Sequence, residues 1–154
     1  MIREDRSAAG GYLDRPAEYW MSFVRSDDPT ERRLGVYALG EIGSVEVVPA
    51  LEAALHDSFS FVRVWAAAAL ARAACDKQKD AVLALSAESA DSAGFVRSLV
   101  AWSLGRLSYQ QGGEAAAVQT LRVLLEDPDA SVRAEADLAL HQILRRARRM
   151  GLDD

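Results

Sequence analysis

Apolar and small residues recur along this chain in four amphipathic blocks, and the blocks repeat one another. Each is counted from an arginine: Arg32, Arg63, Arg97 or Arg133. Three residues on stand Gly35, Ala66, Val100 and Ala136; six on, Ala38, Ala69, Ser103 and Ala139. Seven on, the column is Leu39, Leu70, Leu104 and Leu140; ten on, it is Ile42, Ala73, Leu107 and Ile143. The residue before the arginine is Val62, Val96 or Val132 in three copies and Glu31 in the first. These offsets fall on one stripe of an α-helix, so each block predicts an amphipathic first helix. Its small residues let a neighbouring helix approach, and its leucine column fills the space between. The arginines lie 31, 34 and 36 residues apart. A period of that size is the signature of stacked structural repeats, in which each unit buries its apolar face against the next.

The polar residues between blocks predict where the helices begin. Asp28-Pro29 and Asp129-Ala130 place an aspartate at the N-cap, with proline at the first helical position in the first case. In the middle copies Ser58 and Ser92 are the nearest capping candidates. Six residues before the arginines stand Ser26, Asp57, Asp91 and Asp127, a column of turn and cap chemistry that could also pair with a repeat arginine. Second helices are expected over 45–55, 78–88 and 113–126, and Pro49 falls early enough in its helix to be tolerated. A preceding helix over 17–25, with Trp20, Phe23 and Val24, is expected to cap the array. A long final helix over 130–150 is closed by Gly151, giving eight helices in all. The domain plan is an N-terminal tail over 1–16, one repeat domain over 17–150 with repeats starting near 26, 57, 91 and 127, and an end segment over 151–154.

The blocks Ser26-Asp-Asp-Pro-Thr-Glu-Arg-Arg-Leu-Gly-Val-Tyr-Ala-Leu-Gly-Glu-Ile-Gly43 and Asp127-Pro-Asp-Ala-Ser-Val-Arg-Ala-Glu-Ala-Asp-Leu-Ala-Leu140 resemble the HEAT-repeat family. The resemblance is to its short form, the phycobilin-lyase-type HEAT-like repeat, and it covers about residues 26–144. The Trp-Leu-Gly-Tyr and Thr-Pro-Leu-His patterns of tetratricopeptide and ankyrin repeats are absent. The resemblance implies an all-α, right-handed α-solenoid of about four HEAT-like helix pairs, an armadillo-type fold. Arg32, Arg63, Arg97 and Arg133, with Leu39, Leu70, Leu104 and Leu140, are its structural repeat positions. Such arrays serve as scaffolds, adaptors and assembly factors, and less often as parts of enzymes, so fold does not settle function.

Composition narrows the chemistry. Half of the 154 residues are hydrophobic but only 7% are aromatic, a mix that suits closely packed helices. The net charge of −5 weighs against a polyanionic ligand. No apolar leader opens the chain and no stretch approaches membrane-spanning length, so a cytoplasmic protein with no membrane partner is expected. Cys75 is the single cysteine, without a neighbouring histidine to activate it. His56 and His141 are followed by Asp57 and Gln142, not by glutamate as in the iron-binding branch of HEAT-like proteins. No catalytic, cofactor-binding or metal-binding residue is assigned, and a non-enzyme is expected. Arg145, Arg146, Arg148 and Arg149 cluster near the end of the final helix, where cations complement the helix dipole. A DNA-binding array would spread basic residues along its concave face, whereas the second helices carry Glu46, Glu52, Glu88, Glu114 and Glu126.

The expected function is protein binding, as an adaptor, scaffold or assembly factor with a partner of unknown identity. The alternatives are an accessory subunit of an enzyme such as a bilin-lyase-type complex and, behind it, a nucleic-acid binder. Candidate contact residues are Tyr37 and Trp102, which share the column five after the arginine, with Glu46, Glu52, Glu88 and Glu114 on the second helices and Arg145 and Arg148 at the end. The last helix has no following helix to cover it, which leaves a partner or a homodimer contact there. The register itself is testable. Ala69→Phe drives a ring into a close-contact column and should cost about 1–3 kcal/mol in thermal or denaturant unfolding. An unchanged midpoint would mean that the column is not buried.

Overall fold

Aspartate and proline set the first long helix. Asp28 is in extended conformation, its Oδ1 accepts the Thr30 N–H at 2.8 Å, and Pro29 opens the helix behind it. Gly43 ends that helix in the left-handed conformation, at φ 65°, where a side chain would be strained. The computed structural model, which describes residues 14–73, 78–107 and 114–151, contains eight α-helices. They are α1 (Ala17–Val24), α2 (Pro29–Ile42), α3 (Val48–Ala54), α4 (Ser60–Ala73), α5 (Gln78–Ala87), α6 (Gly94–Arg106), α7 (Glu114–Leu124) and α8 (Ala130–Arg149). Short 3₁₀ turns, Val45–Val47 and Glu88–Ala90, precede α3 and follow α5. No strand occurs among the described residues. Cys75, the residues 1–13 of the expected tail, and residues 152–154 lie outside them.

The chain is an α-solenoid. The first helices α2, α4, α6 and α8 stack side by side, and α3, α5 and α7 form a second layer behind them. The core runs continuously between the layers. Leu39, Leu70 and Leu104 are fully buried, with Leu51, Leu55, Leu85 and Leu121 from the second helices. Leu140, in α8, is only partly buried, since no further repeat among the described residues closes over it.

Small residues decide how close the first helices come. A Cβ on Gly40 would lie 2.6 Å from the Ala69 Cβ, and one on Gly105 would lie 2.7 Å from the Ala139 Cβ. The residue eight after one repeat arginine therefore meets the residue six after the next. Ser103 takes the small position in α6, and its Oγ donates to the Ala67 carbonyl of α4 at 2.9 Å, so the one buried hydroxyl of this column is satisfied. At the front, α1 seals α2: a Cβ on Gly35 would meet the Phe23 Cβ and the Val24 N at 2.8 Å.

The helix starts differ in one respect from the sequence expectation. Asp28 and Asp129 cap α2 and α8 as expected. In α6, however, the N-cap is Ala93, not Ser92, and its side chain makes no cap bond. The turn is organised instead by Asp91, whose Oδ1 accepts the Ala93 N–H at 2.8 Å. Asp57 and Asp127 accept from Phe59 and Asp129 in the same way, both at 2.9 Å. A carboxylate two residues upstream has taken over the work of the serine.

Gly-to-Ala exchange inside a helix ordinarily gains about 1 kcal/mol. Gly105→Ala is expected to reverse that sign and lose about 1–3 kcal/mol, since the new methyl meets the Ala139 backbone and Cβ across the helix interface. Urea unfolding of the variant measures it.

Candidate functional site

The column of aspartates and the column of arginines form a ladder between repeats. Arg32 Nε and Nη2 donate to the Asp57 carboxylate at 2.6 and 3.0 Å. Arg63 grips Asp91 through the same two nitrogens. Arg97 grips Asp127 at 2.8 and 2.9 Å. Each arginine thus holds the carboxylate of the following repeat in a two-pronged geometry that lysine cannot reproduce. The remaining nitrogen, Nη1, donates back to the arginine's own turn. It reaches the carbonyls of Ser26 and Asp27 from Arg32, of Asp57 from Arg63, and of Asp91 and Ser92 from Arg97.

Every rung is largely removed from water, with side-chain exposures of 5–14%. Burial pulls the Asp57 carboxyl up, but the Arg32 hydrogen bond, the Phe59 N–H and the charges of Arg32 and Arg63 outweigh it, leaving it below its usual value. Asp127 is lowered chiefly by the hydrogen bond from Arg97, against burial. Donating these hydrogen bonds to Asp57 and Asp127 in turn raises Arg32 and Arg97.

The candidate contact residues fall into separate places. Tyr37 is partly buried, stacked edge-on against Trp65 with ring centres 5.2 Å apart, and Arg72 lies 5.8 Å from its ring. Trp102 is partly exposed, with Arg106 at 5.0 Å from its ring, beside a shallow depression of 260 Å³ lined in part by Phe95, Leu99 and Glu135. Burial there raises the Glu135 carboxyl. Glu46 borders a groove of 460 Å³ between α1 and α3, with Met21, Val24, Pro49 and Ala53. Glu52 and Glu114 are half-buried on the second layer. Glu88 is turned inward: its side chain is 11% exposed and lies 3.0 Å from His56 Nδ1. Burial raises its carboxyl, and its contact with His56 links neighbouring repeats.

The two basic candidates stand apart from these. Arg145 and Arg148 are exposed on α8. Between them Arg146 has a different task. It donates to the Gly105 and Leu107 carbonyls at 2.5 and 2.6 Å, closing the C-terminal end of α6.

Large apolar residues outside the candidates read from sequence are exposed as well. Leu83 on α5 and Val123 on α7 stand 52% and 67% exposed on the second layer. The hydroxyl of Thr120 joins Ser86 between the same two helices at 2.9 Å. Leucine and valine in a helix pattern read as core, so nothing in the sequence marked these two as outward. Among the described residues no group of three or more metal-ligating side chains converges, and no helix is long and apolar enough to cross a membrane.

Because Asp57 and Asp127 titrate lower in the folded chain than in the unfolded one, they add stability that is present above the usual aspartate value of 3.8 and is lost as pH falls below it. Glu88 and Glu135, raised by burial, act in the opposite sense. Asp127→Asn should therefore cost about 2 kcal/mol at neutral pH and leave a shallower acid decline than the parent, as followed by circular dichroism.

No curated protein matches the chain. The family model for HEAT repeats matches residues 17–105, more than half of the sequence. That span takes in α1 to α6 and two complete rungs of the ladder, so the periodic columns and the stacked helices have one explanation: this chain belongs to the HEAT-repeat family.

Proposed function

We propose that the protein is a non-enzymatic binding module, an adaptor, scaffold or assembly factor that holds a protein partner across its second layer of helices. HEAT repeats in general mediate protein–protein interaction, and the family membership supplies that coarse reading. The observation that carries the finer one is the pair Leu83 and Val123, two large apolar side chains left in water on adjacent helices of the second layer. Isolated exposed apolar residues need no explanation, but these two stand on helices that touch and are joined by the Thr120–Ser86 hydrogen bond, so both offer apolar area on the same layer. Glu126, just past α7, and Glu46, by the α1–α3 groove, are exposed and acidic, so the partner surface would be apolar with a basic rim. A cytoplasmic location accords with this reading. The enzyme-subunit and nucleic-acid alternatives have no comparable feature among the described residues to support them.

The experiment is affinity capture from the native cell extract with the tagged chain, read by mass spectrometry. Wild-type protein is expected to retain a stoichiometric protein, and Leu83→Glu with Val123→Glu is expected to lose it without a change in melting temperature. Truncated contact residues at an interface centre commonly cost 2 kcal/mol or more, roughly a thirtyfold loss of affinity. Retention that is indifferent to both changes would move the binding surface elsewhere. A coloured or nucleic-acid-bearing eluate would favour an alternative.

A further inference from the structure

Among the described residues the ladder is open at one end. Arg133 is held as its sisters are: its Nη1 donates to the Asp127 and Pro128 carbonyls of its own turn at 2.7 and 3.1 Å. Its Nε and Nη2, the prongs that in Arg32, Arg63 and Arg97 grip the next repeat's aspartate, have no carboxylate partner among the described residues. The side chain is exposed. The result is a guanidinium fixed by its backbone clamp in the orientation that binds a carboxylate three times elsewhere in the same chain.

We propose that this open end of the array is a docking site for an acidic segment of another protein, which places an aspartate or glutamate carboxylate on Arg133 and an apolar side chain on Leu138. This rests on the reading of the chain as a protein-binding module and names a second surface of it. Leu138 is 51% exposed and lies in the column of Tyr37, Ala68 and Trp102, five after the arginine. The exposed Arg145 lies two turns further along the same side of α8.

The residue four after each arginine bears on how strong such a contact is. Val36, Ala67 and Ala101 are fully buried under the next repeat, but the fourth member is the exposed Asp137. A dry, permanent continuation of the solenoid would bury that carboxylate. A polar, reversible contact centred on Arg133 would not.

Three other occupants fit less well. A second copy stacked head to tail offers Ser26, not an aspartate, at its leading turn, and that turn's Oγ is already bonded to Glu31. Asp153 and Asp154 of the same chain fall short. Gly151 lies eighteen residues beyond Arg133, about 27 Å along α8. The three residues after it span at most about 11 Å. A nucleic acid would meet Asp129 and Asp137 beside the single fork, where phosphates need a row of cations.

The test uses the full chain with a photoreactive p-benzoyl-phenylalanine in place of Leu138, a column that already holds Tyr37 and Trp102, irradiated in native extract. A second probe at Val123 reports on the second helical layer. The expected result is a polypeptide adduct at 138 mapped to a segment with an aspartate or glutamate. Its yield should fall about tenfold or more on Arg133→Met, and similarly on Arg133→Lys, which keeps the charge but not the fork. The lysine variant also guards against a methionine variant that fails to fold. An adduct at 138 that is indifferent to Arg133, or that joins a second copy or a nucleic acid, overturns the proposal. An adduct at 123 with none at 138 overturns it while leaving the binding-module reading intact; no adduct at either position defeats both.

Discussion

The repeats of this chain are joined by an arginine that holds two turns at once. Its Nη1 is spent on the backbone of its own turn and its other prongs on the aspartate of the next. The aspartate in turn accepts a backbone N–H from the turn it occupies. One buried carboxylate thereby organises a helix start and a repeat junction together. A surface ion pair contributes little, because water and salt screen it and two side chains must be ordered. Here both partners are mostly shielded and every polar atom has a partner, the condition under which a buried pair does not act as an unpaid cost.

The ladder runs along the turns, while spacing in the core is set by different residues. Gly40 and Gly105 bring backbones close enough that an added methyl has no room. Where the small position is a serine, its hydroxyl finds a backbone carbonyl of the neighbouring helix. Turn chemistry and core packing thus enforce the same translation from one repeat to the next. Such agreement between levels is what makes a linear array stack in one register. It also makes the ends of the array chemically different from its middle. The front is sealed by Trp20, Phe23 and Val24 of α1, whereas the back shows Arg133, Asp137 and Leu138 to water.

The contact surfaces divide along the same line. Tyr37, which reads as a candidate anchor, is largely engaged with Trp65 and Arg72, as the packing role of large aromatics predicts. Glu88 is likewise drawn inward beside His56. Leu83 and Val123 stand outside, although their residue types suggest the core. Side-chain type gives the probability of burial, but the direction of a helix face is set by what packs against it, and a second helix has fewer neighbours than a first.

The sequence by itself determined the repeat. Because an α-helix returns to the same face every three or four residues, the leucine and small-residue columns could be aligned on four arginines with no coordinates. Asp28-Pro29 and Asp129 marked the helix starts for a local reason, the unpaired N–H groups of a first turn. Only the tertiary structure decided which arginine meets which aspartate. The partners are 25, 28 and 30 residues apart, and no fixed spacing announces them. They meet because the second helix of each pair turns the chain back, so the junction depends on loop length and on stacking distance, not on the period of any one helix. The same is true of Arg146, which reads as one of four helix-end cations but closes the end of α6 about forty residues away. It is true of Arg133 as well, whose open fork becomes visible only once its three sisters are seen to be filled.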